Sequence, residues 1–258
     1  MCLIVFAYKN HPRFDLIFAA NRDEFYGRPT RAAQFWDDQP DLLAGKDLKS
    51  GGSWMGINRR GQFAALTNFR DPSISKENAP SRGKIVINYL NQNKKPTAFL
   101  RQFKPQSANY MGFNILAGTP AGVMHYSNQK NTINTVEAGV HGLSNHLLDT
   151  PWPKVERAKS GLKTLLSQAS FNKEALFDIL KHNRPAPDDQ LPDTGIPDDL
   201  EKQISPVFIK GEEYGTRSST ILLIDKSGTV TFEERRFTNG TQDVDETNQF
   251  EFEIEPSI

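Results

Sequence analysis

At 258 residues the chain is long enough for one large domain or two small ones, and long enough to bury a sizeable core. Lys+Arg and Asp+Glu are equal at 31 each, so the global charge gives no case for nucleic acid or an anionic membrane as partner. A single cysteine excludes an intrachain disulfide framework and a cysteine-rich zinc site, and no metal site is expected. No apolar stretch approaches the ~18 residues of a membrane span, so no integral membrane segment is expected. The opening apolar run is too short for a signal-peptide core and has no basic segment before it, so a cytoplasmic location is expected. Nothing in the chain fixes the oligomeric state.

In chain order, residues 2–8 and 13–20 read as two strands around a turn at Asn10-His11-Pro12. The first is apolar on both faces, the pattern of a covered central strand. The second ends in Asn21-Arg22-Asp23-Glu24, a polar cluster carried back beside the chain start. Residues 22–50 read as irregular, with extended pieces near Phe35-Trp36 and Leu42-Leu43-Ala44. After Gly51-Gly52, runs 53–58 and 62–67 form a second hairpin signal ending at Asn68-Phe69-Arg70-Asp71-Pro72. A helix is predicted over 82–92, with Ile85, Tyr89 and Leu90 on one face, and a short one after Pro96.

Strands return at 113–117, 123–126 and 133–136, and 139–145 reads as another strand end. Pro151 and Pro153 precede the clearest helix, where Val155, Ala158, Leu162, Leu165, Leu166 and Ala169 recur at helical spacing. Another starts at Asn172 as N-cap, with Phe171 and Leu176 at the positions of a hydrophobic staple. Residues 183–206, with five prolines, read as a long surface loop, with a lid as the alternative. The last strands are 218–224, 230–232 and a half-exposed edge strand at 250–254, where Phe250, Phe252 and Ile254 alternate with glutamates. Segregated runs of strands and helices imply an α+β fold, read as one domain over 1–258.

Five chemically capable groups recur at strand ends: Cys2, the 21–24 cluster, Asn68, Asn145 and Arg217. Removal of Met1 would give Cys2 a free α-amine, whose unperturbed pKa of about 7.7–8.0 suits it to take the thiol proton. A carboxylate would hold that amine, asparagine amides would donate to a tetrahedral oxyanion, and an arginine would favour the thiolate or bind an acidic group. Singly, each has a structural role instead: a buried cysteine, turn asparagines, a salt-bridged arginine.

Asn21-Arg22-Asp23-Glu24, together with Gly51-Gly52-Ser53-Trp54-Met55-Gly56, Ala65-Leu66-Thr67-Asn68-Phe69-Arg70, Gly142-Leu143-Ser144-Asn145 and Gly215-Thr216-Arg217-Ser218-Ser219-Thr220, resembles the NRDE family, also called the transport and Golgi organisation protein 2 family. That family is similar to N-terminal nucleophile (Ntn) hydrolases of the choloylglycine hydrolase and penicillin V acylase kind. The resemblance implies a four-layer αββα sandwich of two antiparallel sheets. It casts Cys2 as nucleophile, with Arg22, Asp23, Asn68, Asn145 and Arg217 as catalytic partners, and Asn21, Glu24, Trp54 and His146 on the substrate side.

The acylase pattern places an arginine three residues before an aspartate and an aromatic. Here Asn21 and Glu24, then Phe25, occupy that spacing, so either Asp23 or Glu24 remains the carboxylate for the amine. On a regular strand Arg22 and Glu24 share one face, and Asn21 and Asp23 the other.

The expected function is an Ntn-type cysteine amidohydrolase or thioesterase-like protein acting on or binding a small acyl amide or thioester, with no cofactor required. The alternative is a non-catalytic carrier of haem or acyl-CoA in the same pocket, since the family has been linked to haem trafficking. A third reading is a protein–protein adaptor with an exposed apolar patch.

Overall fold

A computed structural model describes residues 2–255. The chain begins with strands β1 (Cys2–Tyr8), β2 (Phe14–Phe25), β3 (Thr30–Trp36), β4 (Gln39–Asp47), β5 (Met55–Asn58) and β6 (Phe63–Asn68). Helices α1 (Gly83–Leu90) and α2 (Pro96–Phe103) follow, then β7 (Phe113–Thr119), β8 (Gly122–Ser127), β9 (Thr132–Thr135) and β10 (Gly139–Leu143). Helices α3 (Pro153–Leu166), α4 (Glu174–Leu180) and α5 (Asp198–Gln203) lead to β11 (Tyr214–Asp225), β12 (Thr229–Phe237) and β13 (Val244–Glu253).

The strands form two antiparallel sheets. One has the order β10-β1-β2-β11-β12-β13, the other β3-β4-β5-β6-β7-β8-β9. Alternation along β1 shows how they stack. Ile4, Phe6 and Tyr8 enter the core between the sheets, where Phe18 and Leu222 meet Ile57, Phe63 and Leu116. Leu3, Val5 and Ala7 enter the core under α3 and α4, with Val155, Ala158, Leu162 and Leu176. A third core lies between α1 and α2 and the outer face of the second sheet, built on Ile85, Tyr89, Phe99 and Ile115. The result is a four-layer αββα sandwich. Each buried Leu, Ile or Phe contributes about 1.5–3 kcal/mol of transfer free energy. Among the described residues no helix is long and apolar enough to cross a membrane.

Two segments differ from the sequence reading. The stretch 22–50 is not irregular: β2 runs on to Phe25, and β3 and β4 form a hairpin. Its polar residues hid it, because Asn21, Arg22 and Asp23 are buried inside a ladder flanked by β1 and β11. Residues 183–206 are not a plain surface loop. Glu201 of α5 is buried and ion-paired with Arg70, and Thr194 donates its hydroxyl proton to the same carboxylate. Lys154 Nζ donates to the carbonyl of Ile204 at 2.7 Å. The N-cap of α4 is Lys173 rather than Asn172, although the Asn172 side-chain oxygen, one residue earlier, accepts from the Glu174 amide at 2.9 Å.

Candidate active site

The β1–β2 register sets Cys2 opposite Arg22, and β11 sets Ser218 against the other edge of Arg22. Cys2 lies on the inter-sheet side of β1, as Ile4 does, where the sheets part into a cleft of about 270 Å³. Cys2, Arg22, Glu24, Trp54, Asn68 and Arg82 line it. The Cys2 thiol is pushed up from its ordinary pKa, chiefly by burial. The Asp23 carboxylate acts in the same direction, while the Arg22 guanidinium and the Asp23 backbone amide oppose it. The resting group is therefore a thiol, and a thiol acts as a nucleophile only after a base takes its proton.

Arg22 is only 6% exposed and its guanidinium lies over the Trp54 ring, 4.2 Å from the centroid. Its nearest carboxylate oxygen is on Glu24, 3.9 Å away. Burial draws the guanidinium down from its ordinary pKa. Trp54 sits where it does because position 45 is glycine: a Cβ there would lie 2.3 Å from the indole. Gly52 has a similar role. A Cβ at Gly52 would lie 2.5 Å from the Gly83 carbonyl carbon, so this glycine lets the 51–54 loop abut the start of α1.

The alternation expected along 21–24 holds for Asn21 but not fully for Asp23, which lines the cleft with Arg22 and Glu24. Arg22 and Glu24 face the cleft, while Asn21 points into the helix layer. Asn21 donates to the carbonyls of Leu180 and Val207 at 2.9 and 2.8 Å and accepts from the Ser219 hydroxyl at 2.6 Å. Those bonds use its amide to tie β2 to α4, and place it away from a ligand. Asp23 is buried, and its carboxylate accepts from the Thr216 hydroxyl at 2.6 Å. Burial pushes that carboxyl above its ordinary pKa, while Lys154 pulls it back. Lys154 itself is drawn down to about 8 by burial, against the pull of Asp23.

Asn68 stands on the cleft wall, and its side-chain amide makes no hydrogen bond among the described residues. Asn145 lies behind it, fully buried, donating to the Asn68 carbonyl at 2.9 Å. Ser144 donates to the Cys2 carbonyl at 3.1 Å and lies 3.3 Å from the Asn145 side-chain oxygen. Ser144 and Asn145 therefore link the strand of Cys2 to Asn68, and the Asn145 amide is turned to the Asn68 carbonyl.

Arg217 and His146 also lie off the cleft. Arg217 sits at the β11 bulge and donates to the carbonyls of Phe25 and Arg28, holding the β2–β3 turn. The His146 ring packs between Phe69 and Trp152 and bonds Thr150 at 2.8 Å. Among the described residues no group of three His, Cys, Asp or Glu side chains could hold a metal ion.

Sequence reading missed Arg28 and Arg82. Arg28 bonds Asp47 at 2.6 Å on the cleft floor. Arg82 occupies the N-cap of α1 and donates to the Gly112 carbonyl at 3.0 Å. The signal was present: a cation at the positive end of a helix with no acid in its first turn is a local conflict of the kind that marks a site.

A family model described as Transport and Golgi organisation 2 matches residues 1–239. A Transport and Golgi organization 2 homolog of Mus musculus is 35% identical, covering 99% of this chain and all of its own length. The Homo sapiens homolog is 34% identical over the same shares. Among solved structures, a mutant conjugated bile acid hydrolase from Clostridium perfringens superposes with a TM-score of 0.56 at 10% identity, over 97% of this chain and 92% of that one. That likeness concerns the fold alone, and it agrees with the layers described above. With the family model spanning most of the chain and relatives matching end to end, the chain belongs to the Transport and Golgi organisation 2 family.

Proposed function

We propose that the protein is an Ntn-type cysteine acyl-transfer protein that binds a small acyl amide or thioester in this cleft. The observation that carries the reading is the placement of the Cys2 thiol, the Arg22 guanidinium and the unengaged Asn68 amide on one cleft. In the form that begins at Cys2, the α-amine takes the thiol proton as sulfur attacks the carbonyl carbon. The Asn68 amide donates to the oxyanion, and Arg22 stabilises the anionic sulfur before attack. Collapse breaks the C–N or C–S bond, the amine passes its proton to the leaving group, and water releases the acyl group as a carboxylic acid. A thiol nucleophile works only when reduced, which suits the cytoplasm.

The cleft favours a small acyl ligand over haem. Its volume of about 270 Å³ lies at the lower edge of the ~300–1,000 Å³ usual for ligand sites. No histidine lines it, and its sulfur groups are Cys2 and Met111. Histidine is the ordinary axial anchor of a bound haem, so the residues present do not fit that group.

Intact mass spectrometry after treatment with p-nitrophenyl acetate tests the reading. One acetyl adduct on a chain lacking Met1, absent in Cys2→Ala, is the expected result. No adduct, or the same adduct in Cys2→Ala, would refute it.

A further inference from the structure

We infer that the ligand of this cleft carries an oxyanion, carboxylate or phosphate, held by the guanidinium groups of Arg22 and Arg82. The inference rests on the cleft being the acyl site proposed above, and it names the second chemical feature of what binds there.

Two guanidinium groups point to it. Arg22 is 94% buried, the complement of its 6% exposure, yet its guanidinium makes no hydrogen bond among the described residues. The Glu24 oxygen at 3.9 Å is beyond hydrogen-bond reach, and that carboxylate also faces Arg28 at 3.7 Å. A guanidinium offers five donors, and those of Arg22 are open to the cleft, where a ligand can meet them. Arg82 makes one bond, to the Gly112 carbonyl, and no carboxylate lies within ion-pair distance of it among the described residues. Both side chains line the cleft with Cys2.

The third cation, Arg28, is already neutralised by Asp47 at 2.6 Å. Glu24 lies between Arg22 and Arg28, so Arg82 is the cleft cation with no carboxylate at ion-pair distance among the described residues. The backbone adds to its positive charge. Helix α1 starts at this wall with no side-chain cap and no acid in its first turn, and Ser81, Arg82 and Gly83 line the cleft. An oxyanion there would meet the positive end of the helix and relieve the repulsion between that end and Arg82. A neutral acyl ligand would offer these donors a carbonyl oxygen but no charge, the weaker of the two kinds of hydrogen bond.

Isothermal titration of the full chain with hexanoate, hexyl phosphate and hexanamide tests the inference, repeated on Arg82→Gln and Arg82→Lys. At least one anion should bind about ten-fold or more tightly than the neutral amide, the scale of one charge-assisted hydrogen bond. The anion that binds tighter names the group. The preference should vanish in Arg82→Gln and persist in part in Arg82→Lys. Equal binding of all three compounds, binding of the amide alone, or no binding of either anion would overturn the inference, and the wild-type titrations decide this even if a variant fails to fold. The titration does not involve the thiol. Anion preference in a protein whose Cys2 is never acetylated would uphold this inference and remove the nucleophile reading, and the reverse pattern would do the opposite.

Discussion

Arg22 and Trp54 form the stacked pair at the centre of the cleft, with the guanidinium carbon 4.2 Å from the ring centroid. Arg22 lies on β2 of one sheet and Trp54 in the loop just before β5 of the other, so the pair bridges the two sheets where Cys2 emerges. Gly45 is the residue that makes room for the indole. Gly45→Ala should force the ring to shift, costing about 1–3 kcal/mol of stability by overpacking. It should also slow acetylation of Cys2, because the displaced indole moves Arg22. Urea denaturation and the acetylation rate measure both effects, and a variant unchanged in each would show that the stacked pair does not shape the cleft.

The Arg70–Glu201 ion pair holds the 183–206 segment to the end of β6, and Glu201 is only 2% exposed. Glu201→Gln removes the negative charge that faces a largely buried guanidinium. A loss of about 3–5 kcal/mol is expected, as for other broken buried pairs. Thermal melting measures it. A shift near zero would mean that the segment is held by its apolar contacts alone.

Arg217 is expected to act as a turn clamp. It donates to the Phe25 and Arg28 carbonyls and does not line the cleft. Arg217→Ala should cost about 1–2 kcal/mol for the lost charged hydrogen bonds. The rate of Cys2 acetylation should stay within roughly three-fold of wild type once the protein is held well below its melting temperature. A hundred-fold loss of rate in a stable variant would instead place Arg217 in the chemistry.

The His141–Asp149 pair should give stability a defined pH window. Asp149 is held down to about 2 by hydrogen bonds from His141, Lys159 and the Gly142 amide, which outweigh its burial. Its stabilisation is thus present above the unfolded carboxylate pKa of about 3.9 and lost as pH falls toward 2. His141 is raised above its ordinary value by its bond to Asp149, against burial. That contribution is full below about pH 6.5 and is lost as pH rises through the folded pKa. Asp149→Asn keeps a residue type that tolerates the left-handed φ of 58° and should flatten both limbs. Denaturation midpoints across pH 2–9 would show it, and parallel profiles for variant and wild type would exclude the pair as the source.

By itself, the sequence determined what depends on local period and turn chemistry. β1 was legible as a covered strand because both of its faces are apolar, and α3 because Val155, Ala158 and Leu162 repeat at helical spacing. The separation of Arg22 and Glu24 from Asn21 followed from a strand period of two. The family motifs indicated the four layers and drew attention to Cys2. Tertiary structure alone decided which of these polar residues share a space.

Asn21 and Asn145 are turned away by partners remote in the chain, Val207 for the first and Asn68 for the second. Arg217 is turned to the β2–β3 turn by a bulge that no local pattern announces. Arg82 reaches the cleft because Gly52 and Gly83 bring two backbones together, and that contact has no periodicity to read. Periodic burial is set by each element's own geometry. The content of a cleft between two sheets is set by long-range register and close packing, which are fixed only when the whole chain has folded.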